Sequence, residues 1–356
     1  MLSPILQEVG EEKEKVEVSM FATAGLRLLS ESKAQEILRL SYESLLSFGL
    51  FVNEANVRII TGYEEAVFSF LSVNLELNDK YPNVALSEIF GIVEMGGASM
   101  QIAFKADENT VENHIEDLVH VEVNNDSFYV FAKTFLGFGA NEARKKFLES
   151  ESQNVCKEGT SFETCSDHVK KLLNKSKKCL DEPCYFNGVH APLKDLKDIK
   201  FVGLSDFYYS LRDLSFNRSR LSYSEFKALG KEVCETPYVV LKNKHPKLSK
   251  EKIEQLCFKA TWELNVLFEG FEFSKHDDST VEIINLSWTP GAAYYILNGG
   301  KISFEKIESP FFQPKPLLLC SLVFCAGLIG FRKNAKRYWT SLFQNRRNHV
   351  YRYNLI

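Results

Sequence analysis

A chain of 356 residues, 45% hydrophobic and 25% charged, has the composition of an ordinary globular protein and exceeds the ~250–300 residues at which a single core usually stops growing, so two lobes are expected. The net charge of -4 conceals an asymmetry: the last 25 residues hold seven of the 43 Lys and Arg and no acid, leaving residues 1–331 with 36 basic against 47 acidic side chains. So acidic a body argues against a nucleic-acid binder, whose phosphate contacts need a basic surface, and suits a protein that meets anions with a metal ion between them.

The opening "MLSPILQEVGEEKEKVEV" has neither a basic n-region nor an apolar h-region, so no secretory signal is legible there. "VEVSMFATAGLRLLSESKAQEILRLSYESLL" predicts a strand, a glycine turn and a helix capped by Ser32 with Gln35 three residues on. Ile37, Leu38, Tyr42, Leu45 and Leu46 fall at helical spacing and form its apolar stripe. In the turn, Thr23 and Gly25 suit a contact to phosphate or metal, while Arg27 suits either a phosphate or a neighbouring acid. "NVRIITGYEEAVFSFLSVNLEL" repeats the plan: a strand to Ile60, a turn at Thr61 and Gly62, and a helix with Phe68, Leu71 and Leu75 inward. Two strand-turn-helix units predict an α/β sheet. Glu64 and Glu65 occupy the first turn of that second helix, where the macrodipole favours anions and holds them charged. One of them is then either a general base within reach of an attacking water or part of a cap.

"EIFGIVEMGGASMQIAF" predicts a hairpin that bends at Gly96-Gly97 and returns with Met100, Ile102 and Phe104 alternating. Without side chains, such a bend can turn backbone N–H groups toward an anion, and Ser99 adds a hydroxyl at the same mouth. Glu94, on the entering strand, suits a hydrated divalent cation. The plainer alternative is a hairpin whose glycines serve only its turn. "LVHVEVNNDSFYVFAKTF" predicts a second hairpin turning at Asn124 to Asp126, and "LGFGANEARKKFLES" a helix. Residues 150–200 read as irregular, after which helix and strand patterns resume as far as "VEIINLSWTPGAAYYIL".

Near the C-terminus, "PLLLCSLVFCAGLIGF", residues 316–331, is uncharged and is followed by the basic tail 332–356. It is shorter than the ~20 residues that span a typical bilayer, but the preceding residues can extend it, and endomembranes are thinner. It is expected to be a transmembrane anchor with a cytoplasmic tail. Six cysteines precede it: Cys156, Cys165, Cys179, Cys184, Cys234 and Cys257. No C-x-x-C occurs among them, which favours disulfides and an oxidising lumen over zinc. Sequons at Asn125, Asn174, Asn217 and Asn285 agree with a lumenal body. No Walker loop, GxSxG or HExxH is present, and the seven histidines are scattered singly.

Taken in order, these segments resemble the apyrase family, the nucleoside triphosphate diphosphohydrolases. "ATAGLRLL", "IITGYEEAVFSFLSVN", "IVEMGGASMQIAF" and "SWTPGAAYYI" are similar to its second, third, fourth and fifth signature segments, and "FLGFGANEAR" and "FVGLSDFYYS" to further ones. The wording "MGG" and the C-terminal anchor lean toward the Golgi and lysosomal apyrase-like branch.

The resemblance implies an α/β fold of two actin-like, ribonuclease-H-like lobes with the active site in the cleft. Lobe I would take residues 1–61 and 285–308, and lobe II residues 62–284 with a disulfide-bracketed insertion at 156–184. It implies hydrolysis of the terminal phosphate of nucleoside di- and triphosphates, with UDP and GDP foremost, in the Golgi lumen in support of glycosylation. Mg2+ or Ca2+ would be the cofactor and nucleic acid would not be a partner. Carried over by position, Glu65 would be the general base. Ser99 and Gln101 would orient the attacking water, Gly96, Gly97 and Ala98 would donate backbone N–H groups to phosphate, and Thr23 would join the phosphate site. Glu94 would hold the metal through water, although the family has aspartate there. Trp288 matches a family tryptophan that is as easily structural as functional. Cys234–Cys257 fits a family bridge, and Cys156–Cys184 enclosing Cys165–Cys179 fits a nested pair. The family's first signature, a D-x-G-S-S loop, would precede residue 1, so an incomplete N-terminus is expected. The alternative is a catalytically impaired nucleotide-binding or regulatory protein.

Overall fold

The computed structural model describes residues 17–80, 89–123, 126–150, 155–180, 182–191, 196–276 and 280–303. The expected anchor 316–331, the tail 332–356 and the sequon residue Asn125 lie outside them. By Cα proximity the chain divides into Met1–Glu305 and Lys306–Ile356, and the elements below belong to the first unit.

The chain begins with β1 (Glu17–Ala22), a helical turn α1 (Ala24–Arg27), α2 (Glu31–Ser47) and β2 (Phe51–Ile59). β1 and β2 pair in parallel as a two-stranded sheet, with Ala22 opposite Ile59. α2 covers it through Leu38 and Leu45, which meet Val52 and Val57. The predicted stripe is wider than the buried one: Ile37 and Leu46 are exposed, because two strands offer too narrow a face to cover them. The N-cap is Ser30 rather than Ser32; its backbone is extended and its carbonyl already accepts from Ala34 N–H, so the helix starts two residues earlier.

After β2 come α3 (Gly62–Lys80), β3 (Gly91–Met95), β4 (Ser99–Lys105), α4 (Glu108–His114), β5 (Leu118–Val123) and β6 (Asp126–Leu136). α5 (Ala140–Glu149), α6 (Phe162–Val169), β7 (Phe201–Ser205), α7 (Asp206–Asp213) and β8 (Arg220–Ser222) follow. The described part ends with α8 (Tyr223–Glu235), α9 (Tyr238–Lys244), α10 (Lys250–Asn265), β9 (Thr280–Ile283), α11 (Thr289–Leu297) and β10 (Lys301–Ser303). Among the described residues, eight of these strands form one mixed sheet in the order β10-β5-β6-β4-β3-β7-β9-β8, parallel only at β3-β7-β9.

Both faces of the central strands are buried, and the period-two alternation sorts their side chains. Ile92, Ala103, Ala132 and Val202 face α3, where Ala66, Val67, Phe70 and Val73 meet them. Val93, Ile102, Phe104 and Phe131 face the other way, into a larger core closed by α5, α6 and α10, with Phe147, Phe162 and Trp262 inside it. α11 crosses α3 backbone to backbone: the Gly291 N–H donates to Ser72 Oγ at 2.7 Å. A Cβ on Gly291 would stand 2.0 Å from the Phe68 carbonyl oxygen.

The cysteines are bonded as Cys156–Cys165, Cys179–Cys184 and Cys234–Cys257. The nested pairs Cys156–Cys184 and Cys165–Cys179 are therefore corrected to two sequential ones. The stretch expected to be irregular contains α6, which Ser161 caps, and this helix brings Cys165 back to within 4.9 Å (Cα–Cα) of Cys156. Cys179 and Cys184, 5.8 Å apart, close a short loop of their own. Among the described residues no helix is long and apolar enough to cross a membrane. Asn174, Asn217 and Asn285 are exposed.

The α3–α11 crossing yields a direct expectation. Gly291→Ala must push backbone against backbone and should destabilise the protein by about 2 kcal/mol or more, read as a fall of several degrees in the thermal unfolding midpoint.

Candidate functional site

The site begins with a register. Glu94 on β3 lies opposite Gln101 on β4, which lies opposite Thr134 on β6. One polar rung thus runs across three strands on the face that α3 covers, immediately beyond the apolar rung Ile92, Ala103 and Ala132. α3 can descend onto this rung because its first residue is glycine: a Cβ on Gly62 would overlap the Thr134 side chain at 2.2 Å. Glu65, three residues on, is thereby set down beside Gln101.

The Gln101 Nε2 donates to Ser99 Oγ at 2.7 Å, to Glu65 at 3.2 Å and to Thr134 Oγ1 at 3.2 Å. From α1, Arg27 forms an ion pair with Glu65 and reaches Ser99 Oγ at 3.3 Å. Five residues from four elements therefore share one hydrogen-bonded cluster, and Glu65 and Ser99 are joined through two common donors. Thr23, the N-cap of α1, makes no side-chain cap bond, and its carbonyl accepts from Leu26 and Arg27. Trp288 stacks on Phe21, 6.5 Å between ring centroids, and packs in the small core around Phe68.

The two glutamates at the start of α3 have opposite fates. Glu64 closes a reciprocal cap with Thr61, accepting from the Thr61 N–H at 2.7 Å while its own N–H donates to Thr61 Oγ1 at 3.1 Å, and it pairs with Arg58. Burial alone would raise its pKa, but the bonds from Arg58 and Thr61 outweigh it and hold the carboxyl below its ordinary value. Glu65 is buried. Burial first, then repulsion from Glu94, push its pKa from 4.5 up to about 7, against the pull of Arg27. The expectation that the helix dipole keeps Glu65 fully charged is corrected accordingly: desolvation outweighs it.

Glu94 is buried too, and its pKa is raised by that burial, partly offset by hydrogen bonds from the hydroxyls of Ser69 on α3 and Ser205 at the end of β7. Ser205 has φ 60°, a conformation that costs a non-glycine residue roughly 1–3 kcal/mol, and in it donates to Glu94 at 2.8 Å. The longer carboxylate at this position is thus gripped on both oxygens.

At the Gly96-Gly97 bend, the Gly96 N–H bonds the Ser99 carbonyl at 2.9 Å, so the expectation that Gly96 donates to phosphate is corrected: its amide is taken within the bend. The N–H groups of Gly97 and Ala98 have no hydrogen-bond partner among the described residues. The bend is braced from behind: Ala140 and Asn141, opening α5, donate to the Gly96 and Gly97 carbonyls at 2.9 Å. Gly139 touches it so closely that a Cβ would stand 2.5 Å from Ala98 N. Two free amides beside Ser99 can receive an anion.

The donor set also fits a hydrated divalent cation. Two acidic side chains face one another across Gln101 with one arginine to balance them, and Gln101 Oε1 is buried with no donor. Oxygen acceptors of this kind suit a hard, water-carrying ion. Sequence reasoning missed Ser69, Thr134 and Ser205 and left Arg27 undecided. Ser69 and Ser72 in an otherwise apolar helix were the available signal.

Glu65's position makes a prediction. Arg27→Met removes the one cation that lowers its proton affinity, so the Glu65 midpoint should rise clearly above about 7, measurable by NMR of labelled carboxyls. Because the folded value lies above the ordinary one, the folded state holds this proton where the unfolded chain has lost it. The associated stability is fully present below about 4.5 and is lost as pH rises through about 7.

The sequence profile of the GDA1/CD39 (nucleoside phosphatase) family matches residues 8–159 and 146–310. The "Golgi apyrase" of Saccharomyces cerevisiae is 29% identical over 348 residues, covering 78% of this chain and 55% of that protein. The "Golgi apyrase" of Schizosaccharomyces pombe is 31% identical over 302 residues, covering 74% and 52%. The chain thus spans about half the length of these relatives. Among solved structures, the nucleoside triphosphate hydrolase of Neospora caninum superposes with a TM-score of 0.58 at 17% identity, covering 83% of this chain and 76% of that one, so the two share an α/β fold.

Proposed function

Since the chain belongs to the GDA1/CD39 (nucleoside phosphatase) family, we propose that it hydrolyses the terminal phosphate of nucleoside di- and triphosphates, with UDP and GDP as preferred substrates. The observation that carries this reading is the joining of Glu65 to Ser99 through Arg27 and Gln101, beside a bend with two free amides.

In this reading Glu65 takes a proton from a water that Ser99 and Gln101 orient. The water oxygen bonds to the terminal phosphorus as the bond to the bridging oxygen breaks, and the shortened nucleotide leaves with that electron pair. A carboxyl with a pKa near 7 is a stronger base than an ordinary glutamate and is still half ionised at neutral pH. The Gly97 and Ala98 amides, with Thr23, receive phosphate oxygens, while the Gly96 amide keeps the bend closed. Glu94, fixed by Ser69 and Ser205, holds Mg2+ or Ca2+ through water, and the ion when bound offsets the charge of the phosphate chain. Arg27 has a double use: it restrains the proton affinity of Glu65 and lies against Ser99, where a phosphate would offer it a second anion. The reading places the body in the Golgi lumen, glycosylated at the exposed Asn174, Asn217 and Asn285, with residues 316–331 as its anchor.

Purified from a secretory host, the protein should release phosphate from UDP and GDP only with Mg2+ or Ca2+ present. Glu65→Gln should lower kcat by roughly 100- to 10,000-fold with the fold intact by circular dichroism; turnover equal to the parent's would remove Glu65 as the base. The parent's kcat/KM should climb with pH through about 7, since the base must lose its proton. Endoglycosidase treatment should increase gel mobility, and alkaline carbonate should leave the full chain in the membrane pellet while releasing a chain cut before residue 316.

A further inference from the structure

On the reverse side of β6, three side chains from three separate segments converge. Strand alternation sends Thr134 toward Glu65 and its neighbour Lys133 to the opposite face. There Lys133 Nζ binds Asp117 Oδ1 at 3.1 Å, which leaves Oδ2 turned toward His190. Asp117 belongs to the single helical turn between α4 and β5, and His114 closes α4 directly before it. His190 comes from the stretch after the Cys179–Cys184 loop. Its backbone forms a bridge with Cys184, and the next residue, Ala191, donates to the Pro183 carbonyl at 2.8 Å, so the backbone that carries the ring is held in place.

The geometry points to a zinc site formed by His114, Asp117 and His190. One ligand atom from each lies within 4.8 Å of the others, and the two imidazole rings are 5.4 Å apart between centroids. His190 Nε2 stands 3.5 Å from Asp117 Oδ2. That is longer than a good N–H···O bond, yet it is close to the edge of a tetrahedron whose metal–ligand bonds are about 2.0–2.2 Å, roughly 3.4 Å. One edge of the coordination figure is therefore already formed, and a ring nitrogen of His114 lies within 4.8 Å of the other two ligand atoms as the third donor. Two imidazoles and one carboxylate select zinc over the hard ions suited to the glutamate cluster, and the fourth position is left to water. Lys133 keeps Asp117 in place, although its charge opposes the ion and tempers the affinity. The bound ion would tie the Cys179–Cys184 loop to the back of the strand that carries Thr134. This assignment stands independently of the hydrolase reading, since neither histidine belongs to that cluster.

The test is calorimetric titration of zinc alone into the chelator-treated full chain, without Mg2+ or Ca2+, in a Cys320→Ser, Cys325→Ser background that removes the two remaining thiols. The expected result is one zinc per chain and a higher thermal midpoint with zinc than without. Each of His114→Gln, His190→Gln and Asp117→Asn should weaken binding at least about tenfold. Glu94→Gln should bind as the parent does. The circular dichroism of each variant without zinc fixes whether it is folded, and phosphate release should be unchanged in the histidine variants. Absence of stoichiometric uptake by the parent, or unchanged affinity in the folded double variant His114→Gln, His190→Gln, overturns the assignment.

Discussion

The site depends on the pairing that sets Glu94, Gln101 and Thr134 side by side. Strand side chains alternate with a period of two, so a slip of one residue in either ladder would send the slipped polar side chain into the phenylalanine-rich core on the other face. The apolar rung next to it, Ile92, Ala103 and Ala132, fixes that register because those residues are packed under α3. Hydrophobic packing thus determines the position of the polar rung, and the polar rung determines where Glu65 can find a partner.

Enclosure then changes the chemistry of the groups gathered there. Two glutamates that begin α3 one residue apart end up with opposite proton affinities, because one is held by Arg58 and Thr61 and the other is sealed near Glu94. Arg27 limits the rise, and it arrives from a short helical turn on a different sheet. The strained backbone at Ser205 belongs to the same economy: an unfavourable φ is tolerated where the hydroxyl it aims secures a buried carboxylate.

Much of this was legible in the residues. The Gly96-Gly97 bend, the two hairpins and the two strand-turn-helix units follow from local pattern, and local pattern acts within a few residues of itself. Glu65 and Ser99 could be named from motif wording. What could not be read was contact between distant segments. The proton affinity of Glu65 is set first by its burial, then by Glu94 and Arg27, 29 and 38 positions away, and the donors to Glu94 include Ser205, 111 positions away. The sequential disulfides turned on a helix at Phe162–Val169 inside a lysine-rich stretch that looked structureless. The helix start at Ser30 turned on one backbone carbonyl, since three serine or acidic positions in a row offer equivalent caps to a reader of sequence alone.

The bracing of the bend by the first residues of α5 has one more outcome. Because Ala140 and Asn141 fasten its carbonyls, and Gly139 fills the space behind, the Gly97 and Ala98 amides are oriented before any guest arrives. The entropy of ordering that loop is spent when the chain folds, so an anion settling there loses little of its binding energy to arranging its host.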